Sequence, residues 1–186
     1  MFIAPLQRHL HVCAQPDLPS YSKRDPGFWN VISIRELFRP IPNPAGFRAF
    51  HTTLILDIVG TDGLDESELN HAPQPVHLEE IIRFADGIPN EPILIHCWAG
   101  VSRSTAVALC LIVRAMHFDG FEEEEIVERA CETLLAIRPQ AAPNPLVLEL
   151  GLSLFLHADS AKRLMFRLVN HPALFQNRHK RASPGI

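Results

Sequence analysis

The feature that most constrains this sequence is a short apolar run at residues 92–96 (PILIH), which leads through a polar loop into a helix-like segment at residues 104–117. The second segment (STAVALCLIVRAMH) is apolar almost all round until Arg114, so it predicts a helix that is buried on nearly every side. Such a helix needs several other elements packed around it. The chain has 186 residues, which is enough to supply that cover within one domain.

Further apolar runs lack the clean alternation of half-exposed strands, which is typical of parallel strands covered on both faces. They lie at residues 9–14, 29–34 and 52–58. Segments with helical periodicity lie at residues 75–86, 122–138, 146–157 and 160–169. We therefore expect an α/β fold, with a small, mostly parallel sheet of four to five strands flanked by helices and a helical C-terminal half.

The domain organisation predicted from composition is simple. One domain is expected over residues 1–176, followed by a flexible basic tail over residues 177–186 (NRHKRASPGI). The 17 Lys and Arg residues against 21 Asp and Glu residues give a net charge of −4, which argues against a nucleic-acid partner. No charge-free apolar run reaches about 18–20 residues, so no membrane span is expected.

The cysteines and histidines add constraints on location and metal binding. The four cysteines form no CxxC pair, which favours free thiols in a reducing compartment. Together with the lack of a signal-peptide pattern at the N-terminus, this predicts a cytoplasmic protein. The histidines show no HExxH spacing, so no metal site is expected.

The loop after the run at residues 92–96 carries the residues suited to chemistry. A loop between a strand and a helix directs backbone N–H groups to one point, which binds anions. Gly100 allows a tight turn, and the Arg103 guanidinium is a fork suited to phosphate. These groups favour a thiolate at Cys97, and Ser104 is placed to hydrogen-bond to that sulfur. The predicted phosphate-binding loop comprises Trp98, Ala99, Gly100, Val101, Ser102 and Arg103.

The string HCWAGVSRST resembles the CX5R signature loop of the cysteine-based protein tyrosine phosphatase superfamily, and is most similar to its compact dual-specificity type and to small bacterial tyrosine-phosphatase-like proteins. The segment from Arg138 to Asn144 (RPQAAPN) resembles a second element of that family, Arg-x-x-x-x-Pro-Asn. The resemblance implies a metal-independent phosphatase that needs no cofactor. It would act through a cysteinyl-phosphate, on a phosphorylated protein or a small phosphomonoester.

The family places a general acid on a loop upstream of the cysteine, and three aspartates fit that description. Asp57 lies at the end of the predicted strand over residues 52–58, one residue before its last, and is the preferred candidate. Asp62 is the alternative, and Asp65 comes third. Each can instead be a turn or capping residue, which is a common role for aspartate.

Two other functions stay open at this point. The chain can be a phospho-binding regulatory module that keeps the loop but turns over poorly. It can also be a small-molecule phosphatase acting on inositol phosphates or nucleotides, rather than a tyrosine or dual-specificity protein phosphatase.

Overall fold

The computed structural model of the protein describes residues 1–58 and 71–182. In these residues a five-stranded sheet has the order β1-β2-β5-β3-β4. β1 pairs with β2 antiparallel, whereas β2, β5, β3 and β4 pair in parallel. This confirms the predicted small, mostly parallel sheet. The strands are β1 (Phe2–Ile3), β2 (Arg8–Ala14), β3 (Asn30–Arg35), β4 (Ala49–Leu54) and β5 (Ile93–Cys97).

The helices follow the predicted order, with two additions. In the described part of the chain they are α1 (Leu18–Arg24), α2 (Pro75–Asp86), α3 (Arg103–Phe118), α4 (Glu123–Ile137), α5 (Pro145–Leu152), α6 (Ala158–Val169) and α7 (Pro172–Ala182). The sequence did not predict α1 or α7. The long C-terminal run of helices confirms the α/β class with a helical second half.

Each face of the sheet is covered by its own hydrophobic cluster, and one cluster is larger than the other. The larger cluster contains the side chains of one sheet face, such as Ile32 and Ile95, together with nearly all of α3. The smaller cluster, on the other face, contains Val31 and Leu94 and is covered by α1 and by Phe47. Because both faces are covered, the central strands are apolar in both alternating sets of positions, which explains their lack of alternation.

Two predicted elements end several residues earlier than expected: the helix predicted over residues 146–157 ends at Leu152, and the strand predicted over residues 52–58 ends at Leu54. β4 ends at Leu54 because its ladder with β3 ends where β3 does, at Arg35, so residues 55–58 leave the sheet. α7 runs to Ala182, so residues 177–182 of the predicted tail are helical, while the division of the chain into domain and tail stays a prediction. The Asn177 amide donates to the carbonyls of Pro139 and Ala141, at 2.8 and 3.0 Å, which attaches this helix to the domain.

Two features are absent from residues 1–58 and 71–182. None of the helices there is both long enough and apolar enough to cross a bilayer. No group of three or more His, Cys, Asp and Glu side chains in the same residues is arranged to hold a metal ion.

Candidate active site

The candidate site lies at the carboxyl end of the central strand, β5. Cys97 is the last residue of that strand, residues 98–102 form a loop, and Arg103 begins α3. Parallel strands end at one edge of a sheet, so the ends of β3 and β4 lie beside this loop. Crevices at this edge are the usual ligand sites of open α/β sheets. The predicted strand–loop–helix unit is therefore present where it was expected.

The loop is held from outside through its carbonyl groups. Trp98 O accepts from Gln15 N at 3.1 Å, and the carbonyls of Ala99 and Gly100 accept from the Arg138 guanidinium at 3.1 and 2.9 Å. The next two carbonyls, of Val101 and Ser102, accept from the backbone of Ala142 and Asn144 at 2.9 and 3.3 Å. A planar peptide directs its N–H opposite to its C=O. Each of these carbonyls is thus followed by an N–H directed away from the partner that holds the carbonyl, an arrangement that suits the binding of an anion.

Gly100 is required at the point where the loop crosses β2. Its φ is +65°, in the left-handed region, and a Cβ there would lie 2.4 Å from Cys13 O and 2.7 Å from Ala14 N. No side chain fits such a gap, so the loop approaches β2 as closely as it does only with glycine at this position.

Cys97 is 1% exposed, and its Sγ lies 3.1 Å from Ser104 Oγ. That hydroxyl, on the first turn of α3, is placed to donate to a thiolate. Burial raises the pKa of Cys13, Cys110 and Cys131 to about 12. Those three remain thiols at neutral pH and are unsuited to nucleophilic attack.

Arg103 is 2% exposed, and its guanidinium is held on one side. Nη1 donates to the carbonyls of Ile55 at 2.7 Å and Arg35 at 3.4 Å. Nη2 lies 3.5 Å from Glu36 Oε2. Within the described residues Nε has no protein partner. This leaves the edge formed by Nε–H and one Nη2–H, a geometry that matches two oxygens of a phosphate.

Asp57 lies against the loop. Its Oδ1 accepts from Ser102 Oγ at 2.6 Å and from Asn144 Nδ2 at 3.0 Å. Asn144 also caps α5, accepting from Val147 N at 3.0 Å. The structure therefore brings the preferred acid candidate next to the loop and joins it to the element that contains Asn144. Asp62 and Asp65 lie outside the described residues, and the identity of the acid stays a prediction.

Sequence reasoning missed two residues of the segment after β3. Glu36 contacts Arg103, and the Arg39 guanidinium lies over the Trp98 ring at 4.2 Å from its centroid. Arg39 Nε also lies 3.7 Å from Glu36 Oε2. Their only sequence signal is their position just beyond a predicted strand, because parallel strands end at the edge where the loop lies.

No protein-family profile matches the sequence, and comparison with curated proteins finds no match. Solved structures do match. PTPMT1 in complex with PI(5)P is 17% identical with a TM-score of 0.52, over 86% of this chain and 94% of that chain. DUSP15 is 21% identical with a TM-score of 0.51, over 89% and 94%.

The human tyrosine phosphatase-like serine/threonine/tyrosine-interacting protein is also similar in structure. It is 18% identical with a TM-score of 0.51, over 76% of this chain and 84% of that chain. The fold of this chain is that of the cysteine-based protein tyrosine phosphatase superfamily. DUSP15 is among the similar structures, so the fold agrees with the resemblance seen in the signature loop.

Proposed function

We propose that this protein is a phosphomonoester hydrolase that acts through a cysteinyl-phosphate. The observation that carries the proposal is the arrangement around Cys97. Its sulfur lies 3.1 Å from the Ser104 hydroxyl, below a loop whose carbonyls are all turned outward, beside the open edge of Arg103. A thiolate below a bound phosphoryl group is aimed at phosphorus, and inward N–H groups stabilise the charge that develops on its oxygens.

The proposed reaction has two steps. In the first, Cys97 Sγ attacks phosphorus, the S–P bond forms, the P–O bond to the leaving group breaks, and Asp57 gives its proton to the leaving oxygen. In the second, water attacks phosphorus and returns a proton to Asp57. The S–P bond then breaks, inorganic phosphate is released, and the Ser104 hydroxyl stabilises the departing thiolate.

The proposed substrate is a phosphorylated protein, with phosphotyrosine or dual specificity, and a small phosphomonoester is the alternative. The signature loop resembles that of compact dual-specificity phosphatases, and its interior carries no lysine for a polyphosphorylated headgroup. Rates on phosphotyrosine and phosphothreonine peptides, inositol phosphates and nucleotides separate these classes. A higher kcat/KM on an inositol phosphate or nucleotide than on every peptide would contradict the protein-phosphatase proposal.

A second candidate is a phospho-binding module with little turnover. The hydrogen bonds that Asp57 Oδ1 accepts from Ser102 and Asn144 favour this candidate. They give the carboxylate a structural role that does not require it to transfer protons. One of the similar structures is that of the human tyrosine phosphatase-like serine/threonine/tyrosine-interacting protein, whose name describes it as phosphatase-like and as an interacting protein.

Hydrolysis of an aryl phosphate, with vanadate as competitor, tests the proposal. We expect wild-type turnover that vanadate inhibits, and a loss of at least about 1,000-fold in Cys97→Ser, because the hydroxyl is a far weaker nucleophile. Cys131→Ser, which changes another buried cysteine, is the control and should retain turnover. Phosphate binding without wild-type hydrolysis would support the binding module instead.

A further inference from the structure

The C-terminal helix, α7, reaches the surroundings of the candidate site through the side chain of Asn177. Its Nδ2 donates to the carbonyls of Pro139 and Ala141, at 2.8 and 3.0 Å. Both carbonyls belong to residues 138–144, the segment that holds the phosphate-binding loop from outside. From this placement we infer that Asn177 is a positioning residue, which fixes that segment and, through it, the geometry of the phosphate-binding loop. The inference rests on the phosphate-binding role of the loop in the proposed function.

The first step concerns how much of the loop depends on residues 138–144. Four successive loop carbonyls, of residues 99–102, accept hydrogen bonds from this segment at 3.1, 2.9, 2.9 and 3.3 Å. The donors are the guanidinium of Arg138 and the backbone N–H groups of Ala142 and Asn144. A displacement of the segment therefore displaces these carbonyls, and each planar peptide moves its N–H group together with its carbonyl.

The second step concerns the peptide group between Ala141 and Ala142, which links Asn177 directly to the loop. Its carbonyl accepts from Asn177 Nδ2 at 3.0 Å, and its N–H donates to Val101 O at 2.9 Å. The C=O and N–H of a trans peptide point in opposite directions, so Asn177 holds this rigid unit on one side while the unit holds the loop on the other. Hydrogen bonds arranged in such a chain also strengthen one another.

A second path runs through Arg138. The side-chain amide oxygen of Gln140 accepts from the nitrogens of the Arg138 guanidinium at 2.9–3.2 Å. The Pro139 carbonyl, which Asn177 holds at 2.8 Å, belongs to the peptide group that leads into Gln140. Residues 138–144 form no part of a helix or strand, so no regular ladder holds this peptide group. Asn177 thus restricts where the Gln140 side chain begins, and this helps to orient Arg138 toward the loop.

The third step concerns Asn177 itself, whose position is fixed by the packing of α7. Leu174 is 0% exposed and belongs to the larger hydrophobic cluster. Residues three apart in a helix lie on one face, so the turn that buries Leu174 directs Asn177 to the same side. α7 also contacts α4 and α6. The amide therefore reaches residues 138–144 from a packed helix, and the loop is ordered before an anion binds.

Binding of inorganic phosphate and of vanadate, measured by calorimetry, tests this inference without turnover. In Asn177→Ala we expect the Kd to rise about 3-fold for phosphate and about 10-fold for vanadate. The difference arises because vanadate bound to the Cys97 sulfur resembles the transition state, in which the direction of the loop N–H groups matters most. With an aryl phosphate, kcat should accordingly fall by more than KM changes.

Two further variants show whether hydrogen-bond donation is the cause. Asn177→Asp keeps the shape of the side chain, but its carboxylate has no N–H to donate, so it should lose at least as much affinity as Asn177→Ala. Asn177→Gln, which keeps both donors on a longer side chain, should recover part of the loss. Thermal unfolding of each variant shows that folded proteins are being compared.

Asn170→Ala is the matched control. Asn170 Nδ2 donates to the carbonyl of Phe166 at 2.8 Å, so this change removes a similar hydrogen bond at the end of α6 without touching residues 138–144. It should leave Kd, KM and kcat unchanged. Wild-type affinity for both anions in Asn177→Ala would overturn the inference, and so would equal losses in the two alanine variants. A wild type that binds neither anion would overturn it as well. If the wild type binds both but hydrolyses nothing, and Asn177→Ala weakens that binding, the proposed function fails while Asn177 keeps its role.

Discussion

Asp57 has two neighbours whose chemistry affects what it can do. Ser102 Oγ and Asn144 Nδ2 both donate to Oδ1, so this oxygen is fixed between the phosphate-binding loop and the start of α5. A positioned carboxyl group suits proton transfer, because a general acid must meet the leaving oxygen at hydrogen-bond distance. The same contacts also suit a purely structural role. An isosteric substitution separates the two roles, since an asparagine oxygen still accepts both hydrogen bonds but the amide cannot supply the acid proton.

Asp57→Asn should slow substrates with poor leaving groups by about 100- to 10,000-fold, the usual range for losing a general acid. Substrates with good leaving groups, such as strongly acidic phenols, need little protonation and should slow by less than about 10-fold. The measurement is kcat/KM across a series of aryl phosphates of graded leaving-group pKa. Equal slowing across the series would contradict the acid role and support a structural one.

Asp86→Asn is the control for that series. Asp86 pairs with Arg114 at 2.8 Å, and its charge acts on Arg8 at the start of β2, the end of that strand remote from Cys97. This change removes one exposed carboxylate without touching the site. It should leave the dependence on leaving group as in the wild type.

At the residue scale, the sequence predicts the site residues that lie in one segment of the chain. It does not predict contacts between residues that are far apart in the sequence. Cys97, Arg103 and Ser104 lie in one segment, and the order strand, loop, helix brings them together without knowledge of the rest of the fold. Glu36 lies 67 positions before Arg103 in the chain and meets it only because β3 is the neighbour of β5. Strand order is a tertiary property, so spacing along the sequence contains no sign of this pair.

At the element scale, the predicted phosphate-binding loop packs directly against β2. The Gly100 Cα faces the backbone of Cys13 and Ala14 with no room for a methyl group. Arg138 bonds the carbonyls on the other side of the loop. The loop is therefore confined between a strand and the segment after α4, which fixes its N–H groups in the absence of any ligand.

Gly100→Ala should lower kcat/KM by about 100-fold, because the loop must move away from β2 by a distance on the order of 1 Å and its N–H groups move with it. Far-UV circular dichroism should show that the secondary structure is retained. Gly120→Ala is a well-matched control, since Gly120 has a similar φ of +80° but nothing lies within 4 Å of its added Cβ. If both variants lose activity equally, the close approach to β2 is not the cause.

The helices were predicted correctly where a single sequence pattern is strong. α2 begins and ends as expected at Pro75 and Asp86, because proline favours the first turn and Gly87 follows the last. α1 was missed because its single buried residue, Leu18, gives no periodicity. α7 was missed because its sequence, PALFQNRHKRA, is polar and basic, and its contacts with α4 and α6 supply what local propensity does not.

Several buried or half-buried histidines lead us to expect that the whole molecule becomes less stable in acid. Burial lowers the pKa of His96 to about 4, against a smaller upward effect of the Cys97 backbone. Burial also lowers the pKa of His11, His51 and His77. The unfolded chain, whose histidines titrate near 6.5, therefore binds protons that the folded chain does not. Stability is complete above about pH 6.5 and is lost as the pH falls toward the folded pKa values.

The free energy of unfolding should fall between about pH 6.5 and pH 4, with His96 alone contributing about 3 kcal/mol of the loss. Urea unfolding at a series of pH values measures this dependence. In His96→Gln the slope over that window should be shallower, whatever the change in stability at pH 7. The exposed His157, changed to Gln, should leave the slope as it is. An unchanged slope in His96→Gln would contradict the assignment.

The alternation of side chains along β2 and β5 has a consequence for damage by peroxide. Cys13 pairs in register with His96, so its thiol lies on the opposite sheet face from Cys97, although the two residues are on neighbouring strands. A disulfide between them would require the backbone to move. The side chains of Cys110 and Cys131 are buried in α3 and α4. Once Cys97 is oxidised to a sulfenic acid, none of the other three cysteines is placed to form a disulfide with it. Recovery then depends on a small external thiol arriving before the irreversible sulfinic stage.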